Sequence, residues 1–307
     1  MNVLNNSEID RNRWDSLVEQ SVSPKITSFS WYLDVVCPQW KAIVGDDYSW
    51  GFVLPEKRKF GIKYLIQPFM IQQLGLIYLH EDFNISPTIG MCLEYVKSHY
   101  LYFDFNINGS SLGTGRVESS PSNNLLLNLQ QSYESVRDGY SANVRRNLKK
   151  SAESGIVVNR IDAFDGIIGM FVDDKGDKVG WNSSKSLLLV EVLNAVKANS
   201  NIDVRGAFSG DELVSGAVFI GFGGRWTFIF SGNSGRGRET SSMFSIIDSF
   251  VHDSANQALT LDFEGSNDQG LYRFYKSFGA YDEKYLRVTS KIKKISFSRK
   301  FGALSEK

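Results

Sequence analysis

The residues best suited to chemistry lie between Ala258 and Ala280, in the stretch ALTLDFEGSNDQGLYRFYKSFGA. Leu259, Leu261 and Phe263 alternate there with Thr260, Asp262 and Glu264, the period of a strand with one face on a core. A hydroxyl and two carboxylates therefore share the other face. Gly265, Ser266, Asn267 and Asp268 follow, and their short polar side chains suit the free N–H groups that open a helix. That short helix should end at Gly279, with Leu271, Phe274, Tyr275 and Phe278 on one stripe. Strand, turn and helix together deliver the Glu264 carboxyl and the Tyr275 phenol to one place, where such a pair can take up and give protons. The plainer readings are a core tyrosine and a glutamate that caps the Gly265 turn.

Two further stretches could serve a ligand. Residues 231–242, SGNSGRGRETSS, end a strand and open a helix. Free backbone N–H groups, the helix dipole and the bare Gly235 and Gly237 would let a pyrophosphate approach closely. No P-loop or dinucleotide fingerprint fits, because no Gly-Lys-Ser/Thr follows and the preceding strands are hairpins. The second stretch, residues 139–155, reads as a helix capped by Ser141 and ended by Gly155, with Val144, Leu148 and Ala152 turned inward. Arg145, Arg146, Lys149 and Lys150 crowd within six positions, so this face is either solvated or set against an anion.

The rest of the chain must position these groups. At 307 residues, two domains are expected, over residues 1–130 and 131–307, with a C-terminal tail that can pack back on the first. Formal charge is balanced, 34 basic against 34 acidic residues, so nothing global points to nucleic acid, DNA included, or to a membrane, and any electrostatic role must be local. Cys37 and Cys92 stand among apolar neighbours and read as free thiols rather than a disulfide scaffold. No apolar leader or membrane-length run appears, and a cytoplasmic protein without integral membrane segments is the expectation. His80, His99 and His252 are too scattered for a metal site or a Ser-His-Asp arrangement.

In order, the first half reads as a helix over residues 7–20 capped by Ser7, an aromatic segment over 30–36, and strands over 41–44, 49–54 and 60–66. Residues 45–47 and 55–57 are the expected hairpin turns. Residues 67–75 place Gln67, Gln72 and Gln73 in an apolar setting, which makes a hydrogen-bonded structural knot the favoured reading and the floor of a cleft the other. A helix over 87–99, a strand over 100–107, a Gly/Ser-rich loop over 108–123 and a strand over 124–129 complete it. The second half brings a strand over 156–161, helices over 163–172 and 185–198, a loop ending at Trp181, and strands over 202–208, 213–222 and 225–230. The Gly-rich turn, a helix over 241–252 and the opening stretch then repeat the first half in broad outline, an α+β order. Seven basic residues and no acid mark residues 284–300, either a solvated tail or a local cationic one that could touch tRNA, a phosphate-bearing carrier or an anionic membrane face.

The run from Tyr140 to Gly155, Tyr-x-x-x-x-Arg-Arg-Asn-x-Lys-Lys-x-x-x-x-Gly followed by a Val-Val strand, resembles the signature of the Fem peptidoglycan-bridge aminoacyltransferases and of Fem-like GNAT-type acyltransferases. Asp262 to Ser266 and the Phe274-Tyr275-Lys276-Ser277-Phe278-Gly279-Ala280 helix are similar to that family's C-terminal motif, with Ala280 where Phe is usual. The resemblance implies tandem GNAT-like domains, each a mostly antiparallel mixed sheet flanked by helices. It implies transfer of an acyl group to a small-molecule or peptide amine, from acyl-CoA or, alternatively, from aminoacyl-tRNA. The long coiled-coil arm of some members is missing, which favours acetyl-CoA or another acyl-CoA as donor. Tyr275 matches the family's usual general acid, and Glu264 is the candidate base. Ser234, Gly235, Arg236, Gly237, Arg238, Thr240 and Ser241 occupy the place of the pyrophosphate loop, while Tyr140, Arg145, Lys149, Trp181 and Asp262 would face the substrate. A non-catalytic binding protein on the same fold is the reading from another class.

Overall fold

The structure is a computed structural model that describes residues 1–109, 117–264 and 267–290. Its strands are β1 (Asn2–Asn5), β2 (Lys41–Val44), β3 (Trp50–Leu54), β4 (Glu56–Lys59), β5 (Ile62–Ile66), β6 (Leu76–Tyr78), β7 (Phe103–Asn108), β8 (Glu118–Asn128), β9 (Ile156–Arg160), β10 (Asn201–Ser209), β11 (Glu212–Phe222), β12 (Arg225–Asn233), β13 (Thr260–Asp262) and β14 (Tyr281–Thr289). They form a four-stranded sheet, β1-β2-β3-β6, and a ten-stranded sheet, β4-β5-β7-β14-β8-β13-β12-β11-β10-β9. Pairing is antiparallel except for β5 with β7 and β12 with β13.

The large sheet crosses from one half of the chain to the other. β14 lies between β7 and β8, and β8 in turn pairs with β13. One apolar core likewise draws on both halves, uniting Trp14, Tyr32 and Trp40 with Ile167, Leu189, Val218 and Phe230. A second core fills the space around helices Ser242–Ser254 and Gln269–Lys276, and a third seats helix Ile85–His99 between the two sheets. Burial of these large side chains, at roughly 1.5–3 kcal/mol each, holds the layers together.

Several local readings are corrected. Asp10, not Ser7, caps the first helix, Arg11–Gln20, because its carboxylate accepts from Arg13 N, while Asn6–Glu8 form a 3-10 turn. The aromatic segment is a helix, Ser30–Val36. Residues 55–57 are no turn: β4 begins at Glu56, and the hairpin closes at Phe60-Gly61, both at positive φ. β3 and β5 consequently belong to different sheets. Ser151, rather than Ala152, turns inward on helix Ala142–Glu153, where its Oγ accepts from Ser245 Oγ at 2.8 Å. The expected loop over 108–123 yields to a strand from Glu118 because β14 supplies a partner for every residue from there to Leu126. Of the basic tail, residues 291–300 lie outside the described residues.

Candidate functional site

β12 and β13 run parallel over only three pairs, Arg225 with Thr260, Trp226 with Leu261 and Thr227 with Asp262. Beyond them β12 continues to Asn233 whereas β13 has ended. Phe228, Phe263 and Tyr275 fill the gap, with Tyr275 stacked on Phe263 at 4.6 Å and edge-on to Phe228 at 5.9 Å. Glu264 follows the strand end at φ +45°, a left-handed conformation that a non-glycine residue holds only under constraint. Its N–H donates to Asp262 Oδ1 at 3.0 Å, which supplies that constraint.

Asp262 is buried and anchors a cluster of charges. Arg225 donates to Asp262 Oδ2 through Nε at 2.8 Å and Nη2 at 2.5 Å, and Nη2 also reaches Glu283 Oε2 at 3.0 Å. Asn124, fully buried on β8, donates to Asp262 Oδ1 at 2.9 Å and Glu283 Oε2 at 3.2 Å. From the first half, Lys25 donates to Gln73 Oε1 at 2.9 Å, Gln73 to Gln72 at 2.7 Å, and Gln72 to Asn124 Oδ1 at 3.3 Å. A head-to-tail chain of three amides thus runs from the Lys25 ammonium to the Asp262 carboxylate. The amides of residues 67–75 are therefore both the expected hydrogen-bonded knot and a wall of the polar cluster. A narrow pocket walled by Lys25, Thr27, Phe222, Arg225, Thr227 and Asp262 opens onto it.

The electrostatics follow from this packing. Burial, then the neighbouring Asp262 charge, push the Glu264 carboxyl up to about 8, against the pull of Lys25 and Arg225. Burial, then Arg225, bring the Lys25 ammonium down to about 8. Glu283 goes the other way: burial raises it, but Arg225 and Lys25 outweigh that and hold it below the ordinary range. Three phenols feel Glu264: Tyr275, Tyr32 and, more weakly than its own burial, Tyr285. Tyr275 is raised by burial first and by the Glu264 charge second, and Tyr32, whose hydroxyl donates to Met70 O at 2.6 Å, is raised in the same order.

The structure brings together Glu264, Tyr275 and Asp262 and places the other candidates elsewhere. Ser234 caps the short helix Gly235–Glu239 by accepting from Gly237 N at 3.1 Å. Gly237 is packed so closely that an added Cβ would meet Asn233 Oδ1, Ser215 Oγ and Val214 O. Arg236 donates to Ser209 Oγ at 3.1 and 3.0 Å, and Arg238 pairs with Asp174 at 2.8 Å. Thr240 Oγ1 donates to Arg236 O at 2.9 Å, and Ser241, at φ +59°, donates through Oγ to Asn147 Oδ1 at 2.7 Å. The bend therefore sits beside the basic helix, where Arg145 donates to Asp138 O at 2.8 Å and Lys149 lies 3.7 Å from Glu153. Tyr140 is buried edge-on to Phe278 at 5.3 Å. Trp181 packs against Phe69, Phe171 and Phe230, with Nε1 donating to Ser186 Oγ at 2.8 Å. Among the described residues there is no cluster of potential metal ligands and no helix long and apolar enough to cross a membrane.

Sequence reasoning missed Lys25, Tyr32, Asn124, Arg225 and Glu283. The pattern of β13 could expose Asp262 and Glu264, but Asn124 and Glu283 join them only because β8 and β14 pair across the chain.

No family model matches the sequence, and no curated protein matches it. Solved structures do share its fold. FemX superposes with a TM-score of 0.63 at 10% identity, over 93% of this chain and 97% of that one. The C-terminal domain of a putative lysylphosphatidylglycerol synthetase from Agrobacterium fabrum gives 0.54 at 12% identity, covering 92% of each chain. A tandem GNAT protein from the clavulanic acid biosynthesis pathway gives 0.52 at 10% identity, over 94% and 98%. The chain thus has the tandem GNAT-like α+β fold of these structures.

Proposed function

We propose that this protein is an N-acyltransferase that moves an acyl group from acyl-CoA to an amine. The observation that carries the reading is Glu264: a carboxyl held by a strained backbone at the end of a parallel strand pair, next to Phe263 on which Tyr275 stacks, and raised to about 8 by burial. Perturbed carboxyls of this kind mark sites of proton transfer. In the reaction the amine nitrogen attacks the thioester carbonyl while Glu264 takes its proton. The C–S bond then breaks, and the departing thiolate takes a proton from Tyr275. The packed Gly237 admits no phosphate, so the exposed Gly235, Arg236 and Arg238 of the bend would meet those of the donor, and the acceptor would enter past Asp262.

Transfer from aminoacyl-tRNA to an amine is the second reading, favoured by the exposed Arg145, Arg146, Lys149 and Lys150 on one helix. Titration calorimetry with CoA and with uncharged tRNA separates the two, and binding of tRNA alone would sink the CoA assignment. Thiol release from acetyl-CoA with a panel of primary amines tests the chemistry. Glu264→Gln should lower kcat/KM on the order of 100-fold or more, and wild-type rates should climb as pH rises through about 8, where Glu264 becomes a carboxylate. A Glu264→Gln, Tyr275→Phe protein that keeps its activity would leave a binding protein on a transferase fold.

A further inference from the structure

The hairpin of β4 and β5 is the outer edge of the ten-stranded sheet. Its two-residue turn, Phe60-Gly61, has φ +51° and +76°, a conformation suited to Asn or Gly and unfavourable for phenylalanine. Burial does not offset that, because Phe60 is 74% exposed. Ile62 beside it is 52% exposed. Leu101, 76% exposed, stands two residues before Phe103, which pairs in parallel with Leu65 of β5. Three large apolar side chains are thus exposed on this part of the sheet, Phe60 with the Lys59 ammonium 5.8 Å from its ring centroid.

The surrounding charges are one-sided. Between residues 56 and 63 stand Lys57, Arg58, Lys59 and Lys63 and a single carboxylate, Glu56, which is buried and bonded to Lys41, Arg58 and Tyr100, so that Lys57, Lys59 and Lys63 outnumber the acids left to face them. Arg58 and Lys63 face each other directly across the strands, an arrangement that disfavours the hairpin itself. Ser290, the last described residue, bonds to Phe103 O at this edge, and the sequence beyond it continues with Lys291, Lys293 and Lys294.

We propose that the Phe60–Ile62 hairpin tip, with Leu101 and its basic flanks, docks on the surface of an anionic phospholipid bilayer. Apolar side chains at a tip can enter the interface while lysine and arginine stems keep their charges among the headgroups. Nucleic acid fits less well, since Ile62 and Leu101 offer no π face for a base and no amide or hydroxyl at the tip reads base edges. This inference stands apart from the acyl-transfer reading and uses none of its residues.

Flotation of the full chain with vesicles tests it. Vesicles of phosphatidylcholine with one-third phosphatidylglycerol should retain about ten-fold more protein than phosphatidylcholine alone, and high salt should reduce the difference. Phe60→Ser with Ile62→Ser, and separately Lys57→Glu with Lys59→Glu, should each lower binding about ten-fold while the thermal midpoint and far-ultraviolet spectrum stay unchanged. To cover the case in which a double variant unfolds, Phe60→Trp should fold and be quenched by brominated lipid in anionic vesicles. Absence of vesicle binding, binding that folded hairpin variants retain, or binding to RNA in place of vesicles would each overturn the proposal.

Discussion

Glu56 at the start of β4 and Glu264 just beyond β13 are both drawn off the surface into hydrogen-bonded clusters, yet their surroundings differ in one respect. Glu56 is a single carboxylate with three donors: Lys41 at 3.1 Å, Arg58 at 3.0 Å and the Tyr100 hydroxyl at 2.7 Å. Burial pushes its carboxyl up, but the Tyr100, Lys41 and Arg58 hydrogen bonds outweigh that and hold it below the ordinary range. Around Glu264, three carboxylates share two cations, and Arg225 is committed to Asp262 and Glu283. Glu264 consequently rises while Glu56 falls. At Glu56 the hydrogen bonds of three donors outweigh burial and make the carboxylate a structural fixture, whereas at Glu264 burial and the Asp262 charge prevail and leave its proton exchangeable near working pH.

Removing the shared cation should produce the largest effect. Arg225→Ala leaves Asp262 and Glu283 without their main counter-charge in a buried setting, and a loss of about 3–5 kcal/mol is expected in urea unfolding. Arg58→Ala, whose side chain is 51% exposed, leaves Glu56 with Lys41 and Tyr100 and should cost under about 1 kcal/mol. Equal losses for the two variants would break the distinction between the clusters.

The contrast sharpens with pH. Glu264 titrates in the folded chain near 8, above its ordinary 4.5, so its contribution to stability is complete below about 4.5 and is lost as pH rises through about 8. Glu264→Gln should therefore match the parent near pH 4.5 and exceed it by about 2 kcal/mol near pH 9. Glu56 has the opposite sign: its stabilisation is present above 4.5 and fades as pH falls through its lowered value. Glu56→Gln should lose about 1–3 kcal/mol at neutral pH, and the gap should narrow in acid. Unfolding curves across this range decide both, and a Glu264→Gln profile parallel to the parent would refute the raised carboxyl.

How much of this was legible beforehand depended on whether the information was local. The alternation Leu259 to Glu264 and the aromatic stripe of helix Gln269–Lys276 mark their own elements, so Asp262, Glu264 and Tyr275 could be singled out together. The amides of residues 67–75 announced a polar knot, but nothing in them names Lys25 or Asn124 as neighbours. Those pairings arise from the sheet order, in which β14 inserts between β7 and β8 and carries Glu283 to Arg225. Glu56 was read as a turn residue because Pro55 and Lys57 flank it; its pairing with Leu65 prevailed.

The smallest effect expected lies on helix Ala142–Glu153, where the sequence resemblance is densest. Lys149 and Glu153 face each other at 3.7 Å with side chains 77% and 65% exposed, so water and salt screen the pair. Lys149→Ala should change stability by less than about 0.5 kcal/mol. A stability change beyond about 1 kcal/mol would mean that this surface is structural in the manner of Glu56. If stability is untouched while donor or acceptor binding weakens and its salt dependence flattens, the exposed cations serve a ligand, and conservation of fold energy and of function are carried by different charges in this chain.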